Sequence, residues 1–96
     1  MITVFYHPDS APPPSSTLVL LGIGRGDSVA CDQASSGVTS SYYINDPDFI
    51  DATVLATDSG LSNLAVAAYY SDGLIWRYWN GSAFTGVSGL CEFFEP

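Results

Sequence analysis

Three aspartates in the segment NDPDFID, Asp46, Asp48 and Asp51, form the densest group of potential metal ligands in the sequence. Carboxylate oxygens are ligands that Ca²⁺ prefers, so this cluster is a calcium candidate. However, the spacing is not that of an EF-hand loop, and the glycine and terminal glutamate of that motif are missing. Because Asn, Asp and Pro all favour turns, we expect a solvated acidic turn with no metal or other cofactor, and calcium is the alternative.

Two further motifs have both a functional and a structural interpretation. Arg25-Gly26-Asp27 is the tripeptide that integrin ligands display on a loop, and Asn80-Gly81-Ser82 fits the N-glycosylation sequon. Motifs this short occur by chance, and each also contains the glycine of a tight turn. We therefore predict a turn at both places.

A catalytic site is difficult to assemble from these residues. His7 is the single histidine and precedes a proline, so a Ser/His/Asp arrangement would depend on a spacer-like residue. Asp48 and Asp51 could form a carboxylate pair for glycoside hydrolysis, but they lie on a turn with no evident cleft. We predict that the protein is not an enzyme.

Charge and composition restrict the classes of partner. Ten acidic residues oppose two arginines, Arg25 and Arg77, and the net charge is -8. A phosphate backbone requires a basic stripe, so we expect no nucleic acid and no membrane surface as partner. Charged residues make up 12% of the chain, about half the usual share. The resulting surface, rich in Tyr, Trp, Ser, Thr and Gly, suits contacts with proteins or glycans.

The sequence gives no sign of a membrane span or of an export signal. No apolar run reaches the roughly 18 residues that cross a bilayer, and MITVFYHPD lacks the three zones of a signal peptide. We expect a soluble chain that reaches the outside of a cell, if at all, within a particle released by lysis.

Residues 1–16 combine a strand pattern with a spacer. The β-branched and aromatic residues of ITVFY predict a strand, and the three consecutive prolines that follow favour extended polyproline II. We expect this arm to contact a partner through Ile2, Val4 and Tyr6. Residues 17–96 constitute a single β domain, since a chain of 96 residues supports one core.

Short strand patterns alternate with turns through this domain. The continuous apolar run Thr17–Ile23 predicts a strand buried on both faces. Asp72-Gly73 and Asn80-Gly81 predict type I′ hairpin turns, which join the strands of a C-terminal meander. The predicted fold is all-β, a small antiparallel sandwich or open barrel with that meander and an extended N-terminal arm. The other predicted strands are Tyr42–Ile44, one within Phe49–Ala56, Ala65–Tyr70, Leu74–Trp79, Ser82–Val87 and the edge strand Leu90–Phe94.

Cys31 and Cys91 allow two interpretations. A disulfide between them would enclose most of the chain and would constrain the unfolded state by roughly 4 kcal/mol. Two separate buried thiols are the alternative, favoured in a reducing cytoplasm. The two thiolates and His7 do not make a tetrahedral metal site.

The stretch LIWRYWNGSAFTG places large apolar side chains on both faces of a hairpin. With Asn80-Gly81 as the loop, Arg77 lies opposite Phe84 and can stack on its ring. Because Trp and Arg are enriched in interface hot spots, this face is a candidate contact surface. The alternative is that other parts of the same chain cover it. The face consists of Ile75, Arg77, Trp79 and Phe84.

From YYSDGLIWRYWNGSAFTGVSGLCE outward, residues 28–92 resemble a Cys-bounded β module that recurs in tail-fibre-like and other surface proteins of Bacteroidota and their phages. This resemblance implies a structural or adhesive appendage role rather than an enzyme. The single copy with its own N-terminal arm implies a small virion protein. The motifs in order are Ala30-Cys31, Tyr42-Tyr43, Thr57-Asp58, Tyr69–Gly73 and Gly89–Cys91.

Two functional hypotheses result. The first is a non-enzymatic assembly protein, a decoration, fibre or tail-associated component of a virion or extracellular appendage. It would form homo-oligomers and contact other virion proteins, with an arm that adds a strand to a neighbour's sheet. The second is a carbohydrate-binding adhesion module with an aromatic platform. The platform would consist of Trp76 or Trp79 with Tyr69, Tyr70 or Tyr78, edged by Asp72 and Asn80.

Overall fold

A computed structural model describes residues 16–91, which form one curled antiparallel sheet, a half-barrel, with a single α-helix. This confirms the predicted small all-β fold in its open-barrel form. The predicted arm, with Ile2, Val4 and Tyr6, lies outside the described residues. The strands are β1 (Thr17–Gly24), β2 (Ser40–Ile44), β3 (Leu55–Ala56), β4 (Ala68–Ser71), β5 (Ile75–Trp79) and β6 (Phe84–Leu90), in the sheet order β3-β2-β1-β4-β5-β6.

Strand β1 is central, since it pairs with β2 on one side and with β4 on the other. Alternate residues point to the core, where Leu21 is fully buried, whereas Leu18 and Leu20 are each 55% exposed. The prediction that this strand is buried on both faces is therefore wrong, because one face is only partly covered. The core contains Leu21, Tyr42, Ile44, Phe49, Ala52, Leu55, Ala65, Tyr70 and Trp79.

The helix α1 (Asp27–Ser35) was not predicted from the sequence. Its residues show no helical apolar period, and only Ala30 and Cys31 are buried. The helix lies directly on β1 because glycine there leaves room: a Cβ on Gly22 would lie 2.6 Å from the carbonyl oxygen of Ala30. Tertiary contact, rather than an amphipathic pattern, accounts for this helix.

Both predicted hairpin turns are present, but each lies one residue further along the chain. The backbone N–H of Asn80 donates to the carbonyl of Ala83 at 3.0 Å, and that of Asp72 donates to Ile75 at 3.3 Å. The central pairs therefore begin with Gly81 and Gly73, whose φ angles are 101° and 98°. A glycine at the first central position is typical of a type II′ turn rather than type I′.

The turn position changes the register and the end of the meander. Trp79 pairs with Phe84 and Arg77 with Ser88, with an irregularity between them, so the predicted pairing of Arg77 with Phe84 is wrong. Strand β6 continues to Leu90; Leu90 therefore belongs to β6 and not to a separate edge strand.

A disulfide joins Cys31 of α1 to Cys91, the residue that follows β6. The structure therefore has the cross-link and not two separate thiols. The two half-cystines are 60 positions apart, so the bond ties the helix to the far end of the meander. No helix within residues 16–91 is long and apolar enough to cross a membrane.

Candidate functional site

The chain itself covers part of the face predicted to contact a partner. Trp79 is fully buried, and its indole Nε1 donates to the carbonyl of Ala65 at 2.9 Å. Phe84 packs edge-on against Trp79, with ring centroids 4.9 Å apart. The assignment of this face to a protein interface is therefore corrected for Trp79, and Ile75, Arg77 and Phe84 are only partly accessible.

Arg77 connects this face to the 3-10 helix (Phe49–Asp51) and to the residue that follows it. Its Nη1 donates to the carbonyls of Phe49 and Ala52, each at 2.7 Å. Burial lowers the pKa of the Arg77 guanidinium, and the negative charge of Asp51 acts in the opposite direction. Arg77 is thus a structural residue that fixes a loop over the core.

The opposite face of the same strands carries a half-buried group that we call the aromatic row, Tyr69, Trp76 and Tyr78. The ring of Tyr69 lies 4.8 Å from that of Tyr78 and 5.6 Å from that of Trp76, centroid to centroid. Trp76 can lie flat on β6 because a Cβ on Gly89 would stand 2.9 Å from the indole. The row therefore spans β4 and β5 and extends over β6.

A cleft of about 510 Å³ adjoins the aromatic row at the end of β1. Tyr69 and Tyr78 belong to the aromatic row and also line the cleft. The aromatic row and the cleft therefore form one continuous surface. Arg25 is exposed and lines the cleft, directly after the last residue of β1. The lining residues are Ile23, Gly24, Arg25, Val66, Ala67, Ala68, Tyr69 and Tyr78.

The Arg25-Gly26-Asp27 tripeptide does not form an isolated loop. Gly26 is the N-cap of α1, and Asp27 is its first residue. The Asp27 carboxylate accepts a hydrogen bond from the backbone N–H of Ser28 at 2.7 Å. The tripeptide is a strand-to-helix bend, and within it Arg25 alone lines the cleft.

The structure leaves only some of the aromatic residues of the predicted sugar platform accessible. Tyr70 and Trp79 are fully buried, so the available aromatics are the three of the row. Asp72 and Asn80 lie in the two hairpin turns, where their Oδ1 atoms accept backbone N–H groups of their own turns at 2.8–3.0 Å. The Asp72 carboxylate and the Asn80 amide oxygen therefore stabilise their own turns. The Asn80-Gly81-Ser82 sequon is likewise explained by its turn.

The structure brings the three aspartates together. One carboxylate oxygen from each of Asp46, Asp48 and Asp51 lies within 4.8 Å of the others. The carboxylate of Asp46 already accepts the backbone N–H of Asp48 at 2.9 Å, as expected for an acidic turn. The cluster is exposed or nearly so, and the turn accounts for the position of Asp46 relative to Asp48.

Comparisons with family models, curated proteins and solved structures find no match for this chain. The resemblance to the Cys-bounded module of phage and surface proteins therefore stays a prediction. The candidate site is therefore identified from its geometry alone. Sequence reasoning found its three aromatics and the turn at Arg25, but it missed the cleft, because α1 was not predicted.

Proposed function

We propose that the protein is a non-enzymatic structural component of a larger assembly, such as a phage particle or a surface appendage. It acts through protein–protein contacts, first of all between copies of the same chain. The observation that carries this proposal is the uncharged outer edge of the sheet at β6.

Strand β6 is the last in the sheet order and is seven residues long. Its sequence, FTGVSGL, contains no charged residue and no proline. Val87 is 50% exposed and Leu90 71% exposed. Edge strands of monomeric proteins are usually protected by lysine, proline or inward charges. Within residues 16–91 this edge has no such protection, and an edge of this length suits the addition of a further strand.

A second copy of the chain is the partner that fits this edge best. Each copy has a net charge of -8, so copies repel one another except where a surface is free of charge, as it is along β6. The opposite edge, β3, has only two residues, which is too short to accept β6. Pairing of β6 with β6 around a two-fold axis is therefore the expected contact.

Light scattering after size exclusion tests this proposal. Wild-type protein is expected to show the mass of a dimer or larger oligomer, and Val87→Lys the mass of a monomer. Val38→Lys is the matched control, because Val38 is 61% exposed and lies away from β6. A monomeric wild type at high concentration, or equal masses for wild type and Val87→Lys, would overturn the proposal.

Carbohydrate binding is a second candidate function, and the aromatic row with its adjoining cleft favours it. Exposed ring faces beside polar groups are what a sugar requires. Glycan-array binding that is lost in Trp76→Ala, but retained in Tyr43→Ala, would support this function. Trp79→Ala is unsuitable as a test because it opens the core.

A further inference from the structure

We propose that the cleft at the end of β1 binds a carboxylated sugar unit, of the uronic acid type. Arg25 would pair with the carboxylate, and Tyr69 and Tyr78 would contact the sugar ring. This inference rests on the second candidate function, glycan binding, and names its ligand class and its site.

Arg25 is the cation that remains for an external ligand within residues 16–91. The chain has two basic residues of the Lys and Arg type. The other, Arg77, is committed to two carbonyls of its own chain. Arg25, by contrast, is exposed and lines the cleft. A guanidinium binds a carboxylate through two parallel hydrogen bonds, which also fixes the orientation of the ligand.

The rest of the lining fits a sugar ring. At about 510 Å³, the cleft lies within the usual range of small-ligand sites, roughly 300 to 1,000 Å³. The Tyr69 and Tyr78 rings are tilted by 53° to one another, so they form an angled wall instead of one flat platform. Apolar contacts come from Ile23, Val66, Ala67 and Ala68.

The acidic net charge of the chain does not prevent a carboxylate from binding in the cleft, because the attraction to Arg25 acts at short range. The whole chain is strongly acidic and repels anions at a distance, but this repulsion is screened beyond about 8 Å at physiological salt. Among the described residues, none that lines the cleft is acidic. The ion pair with Arg25 is therefore the interaction that separates a uronic acid from its neutral counterpart.

The test is an NMR titration of the whole chain with glucuronate and with glucose. We expect amide shifts at the cleft residues and roughly tenfold tighter binding of glucuronate, as for a charge-assisted hydrogen bond at an exposed site. Arg25→Gln is expected to abolish this preference for glucuronate over glucose. Arg25→Lys, which keeps the charge without the planar fork, is expected to retain part of it.

Three results would overturn the inference, and they differ in their consequence for the proposed functions. Equal binding of both sugars, unaffected by Arg25→Gln, would remove the carboxylate specificity but leave glycan binding in place. Shifts confined to another surface would remove this cleft as the site. No shifts with either sugar would also remove glycan binding. Assembly through β6 is measured separately by mass and is independent of all three.

Discussion

The guanidinium carbon of Arg77 lies 4.0 Å from the centroid of the Phe84 ring, and the two residues are on neighbouring strands. This contact is a cation–π interaction worth about 0.5 to 2 kcal/mol, depending on how far it is desolvated. With its two bonds to the carbonyls of Phe49 and Ala52, Arg77 links the hairpin, the 3-10 helix and the core. The large side chains of the hairpin are thus explained by the fold itself.

Replacing Arg77 is therefore expected to destabilise the protein strongly. Arg77→Met leaves two carbonyls without their charged donor and should cost about 2 to 4 kcal/mol. Arg25→Met is the matched control, with the same change of charge at an exposed position, and should stay within about 0.5 kcal/mol of wild type. Urea unfolding of both variants measures the difference. Similar losses in the two would contradict the structural role of Arg77.

The hairpin also shows how far sequence reasoning reaches. Alternation placed Ile75, Arg77 and Trp79 correctly on one face, because alternation is a local property of a strand. It left open what covers that face, because the acceptors of Arg77 are backbone carbonyls 25 and 28 positions away. No side-chain pattern marks such atoms. The turn type was also predicted wrongly. The dipeptides Asp72-Gly73 and Asn80-Gly81 do not by themselves determine which residue begins the central pair of the turn.

The helix α1 was missed for a different reason. Its nine residues are too few for a stable isolated helix, and they carry no apolar stripe. What holds the helix in place is distant in sequence: a strand with glycines beneath it and a disulfide to Cys91. Since the cleft lies where β1 leads into this helix, the helix and the cleft had to be missed together.

Gly22→Ala should reveal the close approach of α1 to β1. A Cβ at this position would stand 2.6 Å from the Ala30 carbonyl, so the helix must move. Forced overpacking of this kind costs roughly 1 to 3 kcal/mol. Gly86→Ala is the control, because a Cβ there meets nothing within 4 Å. Thermal unfolding should separate the two variants clearly. A Gly22→Ala melting temperature equal to that of Gly86→Ala would be inconsistent with the described helix packing.

Reduction of the Cys31–Cys91 disulfide should lower stability substantially. The bond closes a long loop, and the chain-entropy model gives about 4 kcal/mol for such a cross-link. Dithiothreitol should therefore lower the melting temperature of wild type. The double variant Cys31→Ser and Cys91→Ser should melt at the lower temperature with or without the reductant. If a thiol assay shows full reduction of wild type and the melting temperature does not fall, the stabilising role is wrong.

Tyr70 should make the protein sensitive to alkali. It is fully buried, and its hydroxyl donates to the carbonyl of Val66 at 2.8 Å. Burial raises the pKa of Tyr70 well above its ordinary value of 10.0, and the nearby Tyr42 adds to this effect.

The sign of the pH effect follows from this raised pKa. Below pH 10 both the folded and the unfolded states keep the phenol proton, so the stability is unaffected. Above pH 10 the unfolded chain loses the proton while the folded chain retains it, and the stability falls as the pH rises towards the folded pKa.

Urea unfolding between pH 8 and about pH 11.5 should show this decline in wild type. Tyr70→Phe lacks the hydrogen bond to Val66 and should be less stable at pH 8, but its decline above pH 10 should be shallower. Parallel curves for the two proteins would exclude Tyr70 as the source of the alkaline sensitivity.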